Sequence, residues 1–420
     1  MNNERKKVLI VSVAVVSMAS LLLCLLLILC FSIFKTAEQQ QQPDEEKAHR
    51  QLLFVQAIWR HGDRAPGKLP YPGDQYDEKY WPRGWGQLTN LGMTQMRELG
   101  QFLRQRYVNE LNFLDPTYNR EDLFVQSSGS DRALVSAQAL LQGMYPPVAE
   151  LEQFDPTLNW QPIPVHSTGP NHELLKPTSF ACPIYEEMKK EVKQQLEQNL
   201  TKTYSDLFTF IQQNVYKSAQ PISLHQAAKL SNIKREVLHN LSQPEWVNRR
   251  WDQYGNQTTL DLVTELRRLE RSAEFARPEL AILKGGLLLG DWVQRAETVL
   301  QRQTPKEANK AVLYSAHDGT LQALLYALGV GDGQMVPYSA CVMMELYNAT
   351  DGVIHLDIYY RHNGILDKFK LADCGDSFCE ADKTLNSLEK NAINGRQQLY
   401  DLCKKDGFCE IPIEKGKEDD

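Results

Sequence analysis

The pattern of apolar and polar positions changes character several times along the chain. Residues 8–34, VLIVSVAVVSMASLLLCLLLILCFSIF, are uncharged throughout. That exceeds the roughly 20 residues a helix needs to cross a bilayer and the roughly 7–15 apolar residues of a cleaved signal. An uncleaved transmembrane anchor is expected there. Residues 36–50, TAEQQQQPDEEKAHR, are polar and interrupted by a proline, so 35–50 reads as a solvated stalk. From Gln51, the run LLFVQAIW has the apolar, aromatic character of a buried strand and stops abruptly at RHGDRAP. LTNLGMTQMRELGQFLRQRY carries apolar residues at helical spacing, DLFVQSS reads as a second strand, and DRALVSAQALLQGM as the helix after it.

The pattern shifts over about 151–280. Charged, glutamine-rich stretches of helical period dominate, such as IYEEMKKEVKQQLEQNL and LDLVTELRRLERSAEFA, separated by proline-containing loops. They predict a helical insertion. Strand character returns at AVLYSA (311–316), followed by HDGTLQALLYALG as a turn and helix. CVMMELY and VIHLDIYY flank Asn348–Gly352 as a hairpin, and residues 411–420 form a loose charged tail. Strand–helix alternation on both sides of an insert predicts an α/β fold: a three-layer α/β/α core over 51–410, with a mainly parallel sheet and an inserted, mostly helical cap. Ligands of open α/β sheets bind beyond the carboxyl ends of the strands. That rule would gather the segments after Trp59, at Val125 and after Ala316.

Charge sets the topology. Arg5, Lys6 and Lys7 precede the apolar run and only Lys35 follows closely. The positive-inside rule then makes residues 1–7 cytoplasmic and the rest lumenal or extracellular, a type II single-pass arrangement. The formal net charge of −7 gives no electrostatic reason to expect nucleic-acid binding. Six cysteines lie beyond the span, Cys182, Cys341, Cys374, Cys379, Cys403 and Cys409, an even set suited to disulfides whose pairing spacing alone leaves open. Asn199, Asn240, Asn256 and Asn348 head N-x-S/T sequons, in keeping with secretory passage. No cysteine pair has zinc-site spacing and no HExxH, GxSxG or Walker A pattern occurs.

The densest chemistry is Arg60-His61-Gly62-Asp63-Arg64-Ala65-Pro66. Transfer of a phosphoryl group from a monoester requires charge neutralisation and in-line positioning. Arg60 and Arg64 offer forked donors to phosphate oxygens, and His61 between them offers a ring nitrogen able to attack phosphorus. Gly62 is expected to permit a tight turn beneath the ligand. His317-Asp318 follows the strand at 311–316. His317 is read as a phosphate donor and Asp318 as the acid that protonates the leaving oxygen, though Asp318 could equally be a helix cap. His166 and His172, in a Pro/Gly-rich loop, read as structural. Tyr71, Trp81 and Trp85 read as pocket mouth or core packing.

These motifs occur in order with Asp131-Arg132, Trp160-Gln161-Pro162-Ile163-Pro164-Val165-His166, Cys182-Pro183 and Pro337-Tyr338-Ser339-Ala340-Cys341. Over about 51–410 the chain resembles the histidine acid phosphatases, the prostatic and lysosomal type above all. The resemblance implies metal-independent hydrolysis of phosphate monoesters at acidic pH through a phosphohistidine at His61, with Asp318 as proton donor, broad substrate tolerance, and often a homodimer. The chain departs from that pattern in three places. Gln126 stands where the family's Arg-Ser-Thr-Asp segment has an arginine, so Gln126 is expected in the phosphate pocket, lowering but not abolishing activity. The insert has no cysteine to match the one that pairs in the family with the Pro-Tyr-x-x-Cys cysteine, here Cys341. The anchor is N-terminal where a membrane-bound member carries a C-terminal one. Two alternatives stay open: a weakened, membrane-tethered protein that binds phosphate ligands, and a phosphatase specialised for a lipid, inositol or glycan phosphate.

Overall fold

The computed structural model describes residues 50–148, 152–167, 169, 172–371, 374 and 379–404. The apolar run at 8–34, most of the stalk, the tail at 411–420 and Cys409 lie outside them. Among the described residues no helix is long and apolar enough to cross a membrane.

The main compact unit, Leu52–Tyr347 with Ile354–Asp420, is organised on a seven-stranded sheet of order β3-β2-β6-β1-β7-β8-β9. The strands are β1 (Gln51–Arg60), β2 (Leu123–Ser127), β3 (His166–Ser167), β6 (Ala311–Ala316), β7 (Cys341–Asn348), β8 (Ile354–His362) and β9 (Ile365–Lys368), while β4 (Arg250–Trp251) and β5 (Gln257–Thr258) form a separate hairpin. β3, β2, β6 and β1 run parallel, and β8 and β9 antiparallel. The Arg60 N–H at the end of β1 donates to Ala340 O, just before β7 begins, so these neighbours run in opposite senses. The smaller unit contains Asn348–Val353, where Gly352 takes φ +82° in a turn closed by Ala349 N–H to Val353 O.

Alternation along β1 feeds both faces of the sheet. Phe54 and Ile58 enter a core with Leu289, Trp292 and Leu324. Val55, Ala57 and Trp59 enter another with Met96, Leu99 and Leu140. The helices supplying those cores are α1 (Asn90–Arg104) and α2 (Asp131–Met144) on one face, and α9 (Pro278–Leu300) and α10 (Asp318–Ala327) on the other. This is the three-layer arrangement expected, with the hydrophobic burial of each helix's apolar stripe holding the layers together.

The insert consists of α3 (Pro183–Thr203), α4 (Ser205–Phe210), α5 (Leu224–Lys229), α6 (Ile233–Leu238), α7 (Glu245–Asn248) and α8 (Thr259–Ser272). It has its own core of residues such as Leu207, Ile211, Leu230, Ile233, Leu262 and Leu266. Its expected start near residue 151 requires correction. His166–Ser167 extend the main sheet beside Gln126 and Ser127, so the cap departs only after that strand. Among the described residues two helices follow the sheet, α11 (Ala381–Leu388) and α12 (Arg396–Cys403). Cys182 at the start of α3 is bonded to Cys403 in α12, and Cys374 to Cys379. Cys341 is buried with a free thiol. It pairs with no other described cysteine, against the even set expected from sequence, because it lies on the interior strand β7 in a packed core. Of the sequon asparagines, Asn199, Asn240 and Asn256 are exposed and Asn348 is half-buried.

Candidate active site

Parallel register brings the chemistry together. Arg60 stands opposite Ala316, and Ser127 opposite Ser315, so β1, β6 and β2 end at one level. The next residues hold the site. The His61 N–H donates to Ala316 O at 3.0 Å and the Ser128 N–H to Ser315 O at 3.0 Å. The His61 and His317 rings lie edge to face with centroids 5.5 Å apart.

His61 Nδ1 is 2.8 Å from the Gly62 carbonyl oxygen. A carbonyl only accepts, so the ring proton sits on Nδ1 and Nε2 keeps its lone pair. Burial, and then Arg132, Arg60, His317 and Arg64, hold His61 well below its ordinary pKa. Both effects favour the uncharged ring, with Nε2 as the nitrogen left to react. His317, also depressed by burial and by Arg132 and Lys176, is oriented by Ser128, whose Oγ lies 2.8 Å from Nε2.

Asp318 opens α10, where the free N–H groups of a helix favour an anion. Burial opposes its ionisation, but Arg60, Arg271, His61 and Arg267 hold it well below the usual carboxylate range. Its oxygens lie 3.6 Å from Arg60 Nη2 and 3.9 Å from Arg271 Nη2. An arriving phosphate would compensate these cations and release the carboxyl to take a proton.

The catalytic loop is locked from behind. A Cβ on Gly62 would come within 2.2 Å of Gly92 O, and one on Gly92 within 2.1 Å of Asp63 O. Gly62 is thus required by close approach of helix α1, and its φ is not in the left-handed region, which corrects the expected role as a turn residue. Asp63 is buried, and its Oδ2 accepts from Thr89 Oγ1 at 2.6 Å and His239 Nε2 at 2.7 Å. His239 caps α6, so the insert holds the loop directly.

A cavity of about 500 Å³ opens over these groups. Its floor is Arg60, His61, Arg64, Arg132, His317 and Asp318. Gln126, expected there, is not among the lining residues. It sits within β2 opposite Tyr314 and His166, while the third guanidinium at the nucleophile belongs to Arg132 in the first turn of α2. The binding-only alternative rested on Gln126 and loses its basis. Sequence reasoning also missed Ser128, Arg235, Arg271 and Tyr338. A signal for Arg132 was available: a cation in the first turn of a helix opposes the helix dipole and asks for an anion nearby. Tyr338 carries the Arg60 guanidinium 4.0 Å above its ring and accepts from Arg235 Nε at 2.9 Å through its hydroxyl. His166 instead stacks on Phe124, His172 meets Arg396, and Tyr71 packs on Trp246, all away from this cavity.

Two histidines at the ends of parallel strands, ringed by arginines beneath a helical cap, make a site suited to phosphoryl transfer, of the histidine phosphatase kind. The model of the Histidine phosphatase superfamily (branch 2) matches residues 51–361, and the chain belongs to that family. It is 35% identical over 329 residues to lysosomal acid phosphatase of Xenopus laevis (74% of this chain, 70% of that protein). It is 34% identical over 317 residues to prostatic acid phosphatase of Bos taurus (74% and 78%). In fold it is similar to Hafnia alvei phytase in complex with myo-inositol hexakis sulphate, with TM-score 0.63, 16% identity, and 82% of this chain and 98% of that one covered. Klebsiella sp ASR1 phytase gives 0.61 at 16% identity, covering 83% and 97%.

Proposed function

We propose that this chain is an acid phosphatase that hydrolyses phosphate monoesters through a phosphohistidine at His61, with Asp318 as proton donor. The observation that carries the reading is the buried His61, whose Nδ1 is held by the Gly62 carbonyl and which lines a cavity with Arg60, Arg64 and Arg132. The arginines and His317 take the non-bridging oxygens. Nε2 attacks phosphorus in line as the ester P–O bond breaks, and Asp318 gives its proton to the leaving oxygen. Water then loses a proton to Asp318 as it attacks phosphorus, the P–N bond breaks, and phosphate leaves with the enzyme restored. No group on this path requires a metal. The test is hydrolysis of an aryl phosphate by the purified protein in the presence of chelator, with His61→Ala. Turnover should fall by roughly three decades or more in the variant. Full turnover without His61 would overturn the mechanism.

The same reading assigns residues 8–34 as an N-terminal type II anchor, residues 1–7 as a cytoplasmic tail, and Asn199, Asn240, Asn256 and Asn348 as lumenal glycosylation sites. The cations before the apolar run support it, as do two disulfides and relatives named lysosomal acid phosphatase. Pairing into a homodimer belongs to it as well, and sedimentation of the detergent-solubilised protein tests that.

A further inference from the structure

The cavity is more cationic than one phosphate requires. Beyond the floor, the insert contributes Lys234 and Arg235 from α6, and Arg267 and Arg271 from α8. The last two are tied to carboxylates, Arg267 to Glu270 at 2.9 Å and Arg271 to Glu274 at 3.0 Å. Arg235 is held differently. Nε donates to the Tyr338 hydroxyl and Nη1 to the Asn232 amide oxygen, both neutral acceptors. Lys234 beside it is exposed at the cavity. Arg235 also faces Arg64 closely enough that, after burial, it is the main cause bringing Arg64 down to about 9. Asp318 offsets part of the charge on both guanidiniums, and an anionic ligand would relieve the repulsion that remains.

We propose that Lys234 and Arg235 form a second anion subsite, which makes the preferred substrates phosphate monoesters whose organic part carries another anionic group. The inference rests on the phosphatase reading and deepens it. Tyr338 sets the spacing. Its ring centroid is 6.0 Å from that of His61, and its hydroxyl meets Arg235. The second cation thus stands about one aromatic ring beyond the nucleophile, the reach of a para substituent on a phenyl phosphate. Val237 and Leu238, 44% and 48% exposed, line the same cavity with Leu260 and Met335 and offer an apolar wall to the body of such a substrate. An anionic group here gains a charge-assisted contact that its neutral isostere lacks.

The test compares three substrates on the full-length protein in detergent: 4-carboxyphenyl phosphate, 4-carbamoylphenyl phosphate, and 4-(phosphonomethyl)phenyl phosphate. The amide has the better leaving group, so chemistry alone favours it. The subsite predicts kcat/KM about tenfold higher for at least one anionic ester, the size of a charge-assisted contact. The larger gain tells whether the carboxylate or the phosphonate suits the subsite. Arg235→Gln should bring the ratio to one or below, Arg235→Lys should keep part of it, and Lys234→Gln, at an exposed position, should lower it in a protein that folds as before. If the wild type handles the amide as well as both anionic esters, or both glutamine variants keep the preference, the subsite is refuted while the phosphatase reading stands. If none of the three is hydrolysed, the phosphatase reading fails and the subsite with it.

Discussion

Replacing Arg132 with glutamine isolates the guanidinium that the structure puts in the cavity beside His61 and His317. The residue is buried and lines the cavity with His61 and His317, and for both imidazoles it is the leading charged cause of a lowered pKa. Glutamine keeps hydrogen-bonding capacity but no charge. A hydrogen bond to a charged group is worth about 1.5–3 kcal/mol, so kcat/KM on an aryl phosphate should fall by about one to two decades. A second effect follows from the titration. With Arg132 gone the His61 pKa rises toward its ordinary value, and more of the nucleophile is protonated in acid. The loss should therefore be largest at the low end of the pH range, and the acid limb of the profile should move upward. Gln126→Arg, outside the cavity, should leave kcat/KM within about twofold, since no charged contact at the phosphate changes. Thermal unfolding of both variants separates misfolding from a site effect. An Arg132→Gln variant as active as wild type with an unshifted acid limb, or a Gln126→Arg variant improved tenfold, would refute this assignment.

Three other outcomes are expected. Asp318→Asn should slow alkyl phosphates about tenfold or more beyond its effect on activated aryl phosphates, because the proton matters most for a basic leaving group; equal losses on both would make Asp318 a helix cap only, through its contact with the Gly319 N–H at 2.8 Å. Glu236, fully buried in the insert with its pKa pushed up to about 8 by burial and by Asp74, keeps its proton in the folded state long after the unfolded chain has lost it. Stability should therefore be full below about 4.5 and decline as pH rises toward 8, and Glu236→Gln should flatten that decline in a Tm-against-pH series; an unchanged slope would show that Glu236 is not the group. For the anchor, glycosidase should increase the gel mobility of the expressed protein and protease added from the cytosolic side should leave the domain intact, whereas an unchanged band and a cleaved domain would reverse the topology.

The parts of the site that were legible in the sequence are those written contiguously. RHGDR and HD each follow a strand whose mostly apolar run marks it as buried on both faces, and parallel register then puts Arg60 beside Ala316. Arg132 and Gln126 were confused because a strand's end and the helix start after it are separated by a loop whose path sequence does not give. The chain leaves β2 at Ser127, meets His317 through Ser128, and lines the cavity itself only at Arg132. Arg235 and Lys234 lie on a charged amphipathic helix, where a cation facing a cavity and one facing solvent look alike until the helix docks. The tie from His239 to Asp63 spans 176 residues, and the Cys182–Cys403 bond spans 221. Neither can be read from spacing, because tertiary packing alone decides which segments meet. The two-residue strand β3 was too short to leave a periodic signal.

The central claim is that His61 carries the phosphoryl group, and rapid quench of the protein with a phosphorus-labelled aryl phosphate tests it most directly. The account predicts a protein-bound label that survives base, is lost in acid, maps by peptide analysis to His61, and is absent from His61→Ala. A label on another residue, or wild-type turnover with no covalent label on the time scale of a single cycle, would contradict it.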